Sequence, residues 1–215
     1  MSVTISRLYD DYSAASQAVR DLEAAGLSSR DISIVASNAD NWYQSGRSKR
    51  TDRVDTDRDG TDDRAEGAEA GAGIGAVIGG AAGLLAGLGM IAIPGVGPVV
   101  AAGWLAATAA GAVAGGAAGG IIGALTQAGV NKEEAHVYAE GIRRGGTLVT
   151  ARVPDGERSR YEAILDRSAI NIRERGEAYR REGWTAFDEK ATPYSAEQAR
   201  RERQIYGSGG MSRPL

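Results

Sequence analysis

Hydrophobic and polar residues alternate with two different periods near the start of this chain. From Val3 to Arg7, apolar residues alternate with polar ones, as in a half-buried strand. Apolar residues then recur at helical spacing from Ala14 to Ala25, and Gly26 is well placed to end that helix. A second alternating run follows at 31–35, so residues 1–37 are predicted to form a βαβ unit.

The same two periods return near the other end of the chain. The elements predicted there are a helix at 131–144, a strand at 147–153, a helix at 158–167 and a short strand at 169–172. Asn131, with Glu134 three residues later, is typical of a helix start, and Gly145-Gly146 of a helix end. Residues 131–175 are therefore predicted to form an αβαβ half. The two halves together predict an α+β, ferredoxin-like four-stranded antiparallel sheet.

An apolar middle, residues 70–130, separates the two halves and contains no Asp, Glu, Lys or Arg. Small residues recur in it at every fourth position, and residues four apart lie on one face of a helix. Prolines and glycines from Pro94 to Pro98 predict a turn. We therefore expect an inserted glycine-rich helical hairpin with closely packed backbones. The glycines expected at its helix contacts are Gly71, Gly75, Gly79, Gly83, Gly87, Gly111, Gly115, Gly119 and Gly123.

Three interpretations of this hairpin are compatible with the sequence. It is a transmembrane hairpin, a soluble pair of helices that oligomerises, or a membrane-disrupting hairpin that forms pores. The first arm, 70–93, is long enough to cross a hydrocarbon core of about 30 Å as a helix. Basic residues lie on both flanks, between Arg47 and Arg64 and again after Asn131. The positive-inside rule then places both flanks in the cytoplasm.

The polar linker at residues 38–69 contains an acidic loop. Its sequence from Asp55 to Glu66 matches the calcium-loop pattern D-x-D-x-D-G-x5-E, with Gly60 at the sharp turn. Calcium prefers six to eight hard oxygen ligands. The candidate ligands are Asp55, Asp57, Asp59, Thr61, Asp63 and Glu66. The alternative is a solvated linker whose acidic and basic residues neutralise each other, and the sequence favours that alternative.

The last segment, residues 176–215, is dense in charge and poor in apolar residues, so we expect a disordered, flexible tail. Its aromatic residues Trp184, Phe187 and Tyr194 could dock on a partner or on the domain itself. Little in the chain indicates catalysis. The chain has no cysteine, and His136, its single histidine, has no supporting catalytic motif.

Three segments carry a family resemblance. They are VTISRLYDDYSAASQAVRDLEAAGLSSRDISIVASN, GLLAGLGMIAIPGVGPVVAAG and EEAHVYAEGIRRGGTLVTARV. They resemble the bacterial heat-induced general stress protein family over about residues 2–173, most specifically at the GIRRGG junction and the PGVGP turn. The resemblance implies a βαβ start, a glycine-rich insert and a role in the stress response. It supplies no enzymatic activity and no catalytic residues.

These observations lead to one main functional hypothesis and one alternative. The main hypothesis is a non-enzymatic general stress protein at the cytoplasmic membrane, self-associating through the glycine-rich hairpin. Its expected partners are membrane lipid and other copies of itself. Nucleic acid is not expected, because the net charge of −3 gives no basic bias. The alternative is a soluble cytoplasmic oligomer that binds a ligand or responds to calcium, the one cofactor that the sequence suggests.

Overall fold

The computed structural model describes residues 2–43, 84–114 and 120–206. The strands are β1 (Ser2–Tyr9), β2 (Ile32–Ser37), β3 (Gly89–Ile93), β4 (Gly97–Gly103) and β5 (Thr147–Pro154). The helices are α1 (Tyr12–Ala24), α2 (Trp104–Ala114), α3 (Gly120–Gln127), α4 (Lys132–Arg143), α5 (Arg158–Leu165), α6 (Ile172–Arg181) and α7 (Ala196–Tyr206). Short 3-10 turns lie at Ser29–Asp31, Leu84–Gly87 and Asp155–Glu157. The described chain is therefore a mixed α+β structure.

The five strands form one antiparallel sheet in the order β1-β5-β2-β4-β3. β5 lies between β1 and β2, with Ile5 opposite Ala151 and Ile34 opposite Val149. β4 pairs with β2 on the other side and with β3, which forms the edge. The sheet places its first strand in the sequence, β1, next to its last, β5.

Successive side chains of a strand point to opposite faces of the sheet. Helices pack against both faces, so the domain has two hydrophobic cores. One core lies between the sheet and helices α1 and α5. Its central residues are Ile5, Val19, Ile34, Val149 and Leu165. The other core lies between the sheet and helices α2, α3 and α4. Its central residues are Leu8, Val35, Leu105, Leu125 and Ile142.

Most elements outside the apolar middle confirm their predictions. β1, α1, β2, α4, β5 and α5 lie at or within a few residues of the predicted positions. Asn131 caps α4 by accepting a hydrogen bond from the Glu133 amide at 2.8 Å. Gly145, with φ of +106°, follows the end of that helix. This left-handed position is one that glycine adopts without strain.

The predicted helical hairpin is wrong for residues 89–103, which form the β3–β4 hairpin of the sheet. Ile91 and Ile93 alternate along β3 and pack against the α2–α4 core. Pro94 and Gly95 occupy the centre of the turn, where the Val96 amide donates to the Ile93 carbonyl at 3.1 Å and Gly95 has φ of +71°. A proline followed by a glycine with positive φ is typical of a type II turn. The four-residue glycine spacing favours a helix, but a strand lets the β-branched residues Ile91 and Ile93 pack into the core, and the strand forms.

The strand predicted at 169–172 is also wrong. One backbone hydrogen bond, from Ile170 to the Leu8 carbonyl at 2.8 Å, joins this segment to the free edge of β1. Asn171 then caps α6, since its side chain accepts from the amides of Arg173 and Glu174. The capped helix ends the extended conformation, so the predicted fourth strand does not form here. The sheet nevertheless has five strands, because β3 and β4 extend it beyond β2.

The expectation of a disordered tail is wrong for residues 176–206. α6 continues to Arg181, and α7 begins after a capping box in which Ser195 and Gln198 bond each other reciprocally. Phe187, between the two helices, is 6% exposed and belongs to the α2–α4 core. The aromatic side chains of this segment therefore dock on the domain itself.

Candidate functional site

The acidic loop and most of the glycines predicted to pack lie outside the described residues. This applies to Asp55, Asp57, Asp59, Thr61, Asp63 and Glu66, and to Gly71, Gly75, Gly79, Gly83, Gly115 and Gly119. Across the described ranges, no group of three His, Asp or Glu side chains is arranged to hold a metal ion. The calcium loop stays a prediction.

Three of the predicted packing glycines lie in the described part. Gly87 belongs to a 3-10 turn. Gly111 in α2 and Gly123 in α3 face open space, since a Cβ added to either would meet no described atom within 4 Å. Neither glycine is therefore required by a described close contact, and their role in helix association stays a prediction.

The structure instead gathers charged and aromatic side chains around the end of α4. Arg144 directly follows this helix, and its Nε donates to Glu140 Oε1 at 2.7 Å. Its Nη1 donates to Glu182 at 2.7 Å and to Glu202 at 3.2 Å. Arg144 is 8% exposed and Glu140 is 1% exposed. One buried guanidinium thus joins the end of α4 to the end of α6, at Glu182, and to α7, at Glu202.

Aromatic rings from the same segment cover the arginines. The guanidinium of Arg144 lies 4.1 Å from the centre of the Tyr179 ring, and that of Arg143 lies 4.8 Å from the Tyr194 ring. Tyr179 also meets Tyr206 edge to face at 5.9 Å. Such cation–π and aromatic contacts strengthen when water is excluded.

Further polar contacts extend the cluster on both sides. Arg175 donates to Asp10 at 2.9 Å and lies 4.5 Å from the Tyr206 ring. The Tyr206 hydroxyl donates to Glu182. Arg203 donates to Asp40 and, at 3.3 Å, to the Gly145 carbonyl. The final helix is therefore tied to the loop after β2 and to the end of α4. Arg175 of α6 joins the Tyr206 ring of this final helix to Asp10, the residue after β1. We call this set of residues the arginine cluster.

Burial and pairing change several pKa values in the arginine cluster. Burial lowers the pKa of Arg144, but its hydrogen bonds to Glu140 and Glu182 outweigh burial and raise the pKa overall. Burial raises the pKa of Glu182, but hydrogen bonds from Tyr206 and Arg144 outweigh it and lower the pKa overall. Burial raises the pKa of Glu202 despite the opposing charge of Arg144. Burial, together with the Glu182 carboxylate, raises the pKa of Tyr206 to about 12.

The arginine cluster borders a small open cleft with a cavity volume of about 10 Å³. The cleft is lined chiefly by Asp10, Arg144, Arg175, Tyr179, Glu202 and Tyr206. Pockets for small organic ligands usually measure about 300–1,000 Å³ and are mainly apolar. The chemistry available here is the binding of carboxylates by arginines. The C-terminal segment supplies two of these carboxylates, Glu182 and Glu202, and the rest of the domain supplies Asp10, Asp40 and Glu140.

The same segment passes over the turn between β3 and β4. A Cβ on Gly95 would lie 2.6 Å from the Asp188 carbonyl oxygen, and one on Gly97 would lie 2.7 Å from Pro193 Cβ. A Cβ on Gly145, beside the arginine cluster, would lie 3.1 Å from the Ala199 carbonyl oxygen. The PGVGP turn and the GIRRGG junction, which lie far apart in the sequence, are thus the two points over which residues 182–206 pass.

The GIRRGG junction, which contains Arg143 and Arg144, and the aromatic residues of the tail carry separate signals in the sequence, and no local pattern brings them together. The available signal was local: Ser195 with Gln198 has capping-box spacing, and Asn171 with Glu174 has the spacing of a helix start. These pairs identify two helices in the charged segment. The contacts that carry Arg144 to Glu182 and Glu202 span 38 and 58 residues, which no local pattern reveals.

No protein-family model matches the chain, and searches of curated proteins and of solved structures returned no significant match. Among the helices of the described ranges, none is both long enough and apolar enough to cross a bilayer.

Proposed function

We propose that this chain is a non-enzymatic general stress protein that self-associates and attaches to membranes through its uncharged, glycine-rich segment. The observation that carries the proposal is the charge-free run from Ala70 to Asn131. Part of this run reaches the surface of the described structure. The stress context comes from the family resemblance of the sequence.

Two neighbouring elements support self-association. The edge strand β3 exposes Met90, which is 47% exposed, and it pairs with β4 alone among the described strands. α2 packs over β3 and exposes Ala107, Thr108 and Gly111 on its outer side. An uncharged edge strand next to an uncharged helix favours pairing with another chain, because neither carries the charges that usually prevent it. We call these residues the apolar surface.

The β1-α1-β2 and β5-α5 elements are compatible with the two halves of a ferredoxin-like unit. In this interpretation, the backbone bond from Ile170 to Leu8 takes the place of the last strand. The β3–β4 hairpin then extends the sheet on its other side. The domain would serve as a scaffold that presents the apolar surface, and no step of a reaction is assigned to it.

A paired substitution tests the proposal. Ala107→Lys places a charge on the exposed side of α2, whereas Ala163→Lys places the same charge on the exposed side of α5. We expect Ala107→Lys to weaken self-association in analytical ultracentrifugation and to reduce flotation with phospholipid vesicles. Ala163→Lys should leave both unchanged. Equal behaviour of both variants and the unmodified chain would contradict the proposal.

The alternative, a soluble oligomer, differs from the proposal in lipid binding. Flotation decides between them, because a soluble oligomer stays at the bottom of the gradient while its mass in ultracentrifugation still exceeds that of a monomer. A calcium response of that oligomer is tested separately, by calorimetry on the full chain with and without Asp55→Ala and Glu66→Ala.

A further inference from the structure

The segment 182–206 lies on the domain with few buried side chains of its own. Within these residues, Phe187 and Ala199 are the two that are buried. Phe187 enters the α2–α4 core, and Ala199 lies against Gly145. The remaining side chains are partly or fully exposed. Its attachment therefore has one buried aromatic anchor, Phe187, and Trp184 packs partly buried against the same core. The other contacts are mainly polar.

The surface under this segment is shaped for a passing polypeptide. Gly95, Gly97 and Gly145 all have positive φ, and each meets backbone or proline atoms of the segment at a distance that leaves no room for a side chain. Arg143 donates to the Thr192 carbonyl at 3.0 Å, so the groove also recognises the backbone of the segment. The surface thus has three parts: glycine backbone over which a chain can pass closely, a pocket for the Phe187 ring, and the Arg143 guanidinium, which donates to a peptide carbonyl.

Charge complementarity defines what the groove accepts. Arg143 and Arg144 project from the end of α4, and Glu140 balances one of the two charges. The segment contributes Glu182 and Glu202 to Arg144. The side chain of Glu182 is 45% exposed in its ion pair, so water and salt compete with this contact.

We propose that this surface is a peptide-binding groove, which residues 182–206 fill within their own chain and which the same segment of a second copy can fill in trans. Gly183, at the end of α6, has φ of +89°, and a Cβ there would meet no described atom within 4 Å. The chain therefore turns here through a backbone conformation that glycine adopts without strain. Backbone hydrogen bonds from Gly183 to Arg180 and from Trp184 to Tyr179, both at 3.0 Å, close the helix. Exchange of an identical segment between copies needs no new contacts.

The concentration of the tethered segment favours the intramolecular arrangement. A short tether holds its own segment at an effective concentration of about millimolar, so a second copy competes poorly until the tethered segment is weakened. This exchange uses residues other than those of the apolar surface, Met90, Ala107, Thr108 and Gly111.

The first test is binding of a fluorescent peptide of residues 182–206 to the full chain. The double variant Phe187→Ala, Glu202→Gln weakens the tethered segment and leaves the groove intact. We expect it to bind the peptide at least tenfold more tightly than the unmodified chain, measured by fluorescence anisotropy. Adding Arg143→Gln should abolish the gain, and a peptide of scrambled sequence should not bind. Equal affinity of the double variant and the unmodified chain, or equal binding of the scrambled peptide, would overturn the proposal.

A second pair of variants covers the case in which Phe187→Ala unfolds the whole chain, which far-ultraviolet circular dichroism reports. The double variant Glu182→Gln, Glu202→Gln keeps the aromatic anchor and removes both carboxylates from Arg144. The same tenfold gain in peptide affinity is expected from it. No gain with this folded variant also overturns the proposal.

The exchange between copies is tested by energy transfer. The chain has no cysteine, so Gln198→Cys and Lys132→Cys each give one labelling site, the first on the segment and the second at the start of α4. The labelled chains are mixed with unlabelled chain at a total of about 1 mM, comparable to the effective concentration of the tethered segment, so that a second copy can compete for the groove. Transfer between separately labelled full chains that excess unlabelled 182–206 peptide abolishes would support exchange. Absence of transfer, or transfer that persists with the peptide, would overturn it. Persistent transfer would instead match association through the apolar surface.

Discussion

Arg144 and Glu140 form an ion pair at 2.7 Å in which both side chains are almost fully buried. They lie one helical turn apart, the guanidinium just beyond the last turn of α4, where a positive charge also stabilises the helix dipole. The pair is therefore both a local helix interaction and the inner part of the arginine cluster.

The first prediction concerns this pair. Glu140→Ala should lower the free energy of unfolding by about 3 kcal/mol, the lower end of the range for breaking a buried pair, because Glu202 still faces Arg144. Glu177→Ala, at an exposed position of α6, should change it by less than about 0.5 kcal/mol. Urea denaturation followed by circular dichroism measures both. A loss at Glu140 no greater than that at Glu177 would show that Arg144 does not depend on this carboxylate.

The second prediction separates the space around a glycine from its backbone conformation. Gly97 and Gly183 have similar positive φ values, +99° and +89°, but Gly97 alone of the two faces a close neighbour, Pro193. Both alanine variants carry a conformational cost of about 1–2 kcal/mol. Gly97→Ala also crowds Pro193, and overpacking typically costs about 1–3 kcal/mol.

The measurement is tryptic cleavage after Lys190, an exposed residue between α6 and α7. Gly97→Ala should lift residues 182–195 from the β3–β4 turn and speed cleavage well beyond the effect of Gly183→Ala. Equal cleavage rates in the two variants would mean that contact with the turn does not hold this segment in place.

The sequence predicts the periodic elements of this fold well and its long-range contacts poorly. The strands predicted at Val3 to Arg7 and at Thr147 to Val153 are present, and they are neighbours in the α+β sheet. The segment 89–103 carries two conflicting signals. Its glycines suggest a helix face, while Ile91, Ile93 and Val99 alternate as in a strand. The sheet prevails because those three residues reach an apolar core.

The arginine cluster was hard to predict because its residues lie in, or bind to, a segment dense in charge. A dense run of charges normally indicates a solvated tail, because it cannot bury enough apolar surface to order itself. Here Tyr179 and Phe187 supply apolar surface, and Arg144 pairs with carboxylates from both ends of the segment. Composition alone does not show that these charges have partners on another element.

The third prediction concerns pH. A tyrosine whose pKa is raised on folding contributes stability that is present below its unfolded pKa near 10 and is lost as pH rises through its folded pKa. Tyr206, whose pKa is raised to about 12, therefore stabilises the docked segment up to about pH 10 and ceases to do so toward pH 12. Burial also raises the pKa of Tyr194, so its contribution has the same sign.

On the acid side, the carboxylates of the cluster oppose each other. Glu182, with a lowered pKa, loses its contribution as pH falls through its folded pKa, whereas Glu202, with a raised pKa, gains stability as it is protonated. The segment should therefore detach more sharply in alkali than in acid. Fluorescence of Trp184, which meets Tyr179 at 5.9 Å, follows detachment. Tyr206→Phe should flatten the alkaline transition, and an unchanged transition in that variant would exclude Tyr206 as its cause.

The last prediction concerns the edge of the sheet. Met90 and Ile205 are similarly exposed apolar residues, at 47% and 48%, but Met90 lies on the edge strand β3 and Ile205 on α7. If two copies pair through β3, Met90→Lys brings like charges close together across the new interface and weakens the dimer by about 1 kcal/mol, a several-fold rise in its dissociation constant. Ile205→Lys adds the same charge away from the apolar surface and should leave the dissociation constant unchanged. Sedimentation equilibrium measures both constants, and circular dichroism confirms that each variant is folded. Weakening by Ile205→Lys and not by Met90→Lys would move the contact between copies from β3 to the C-terminal segment.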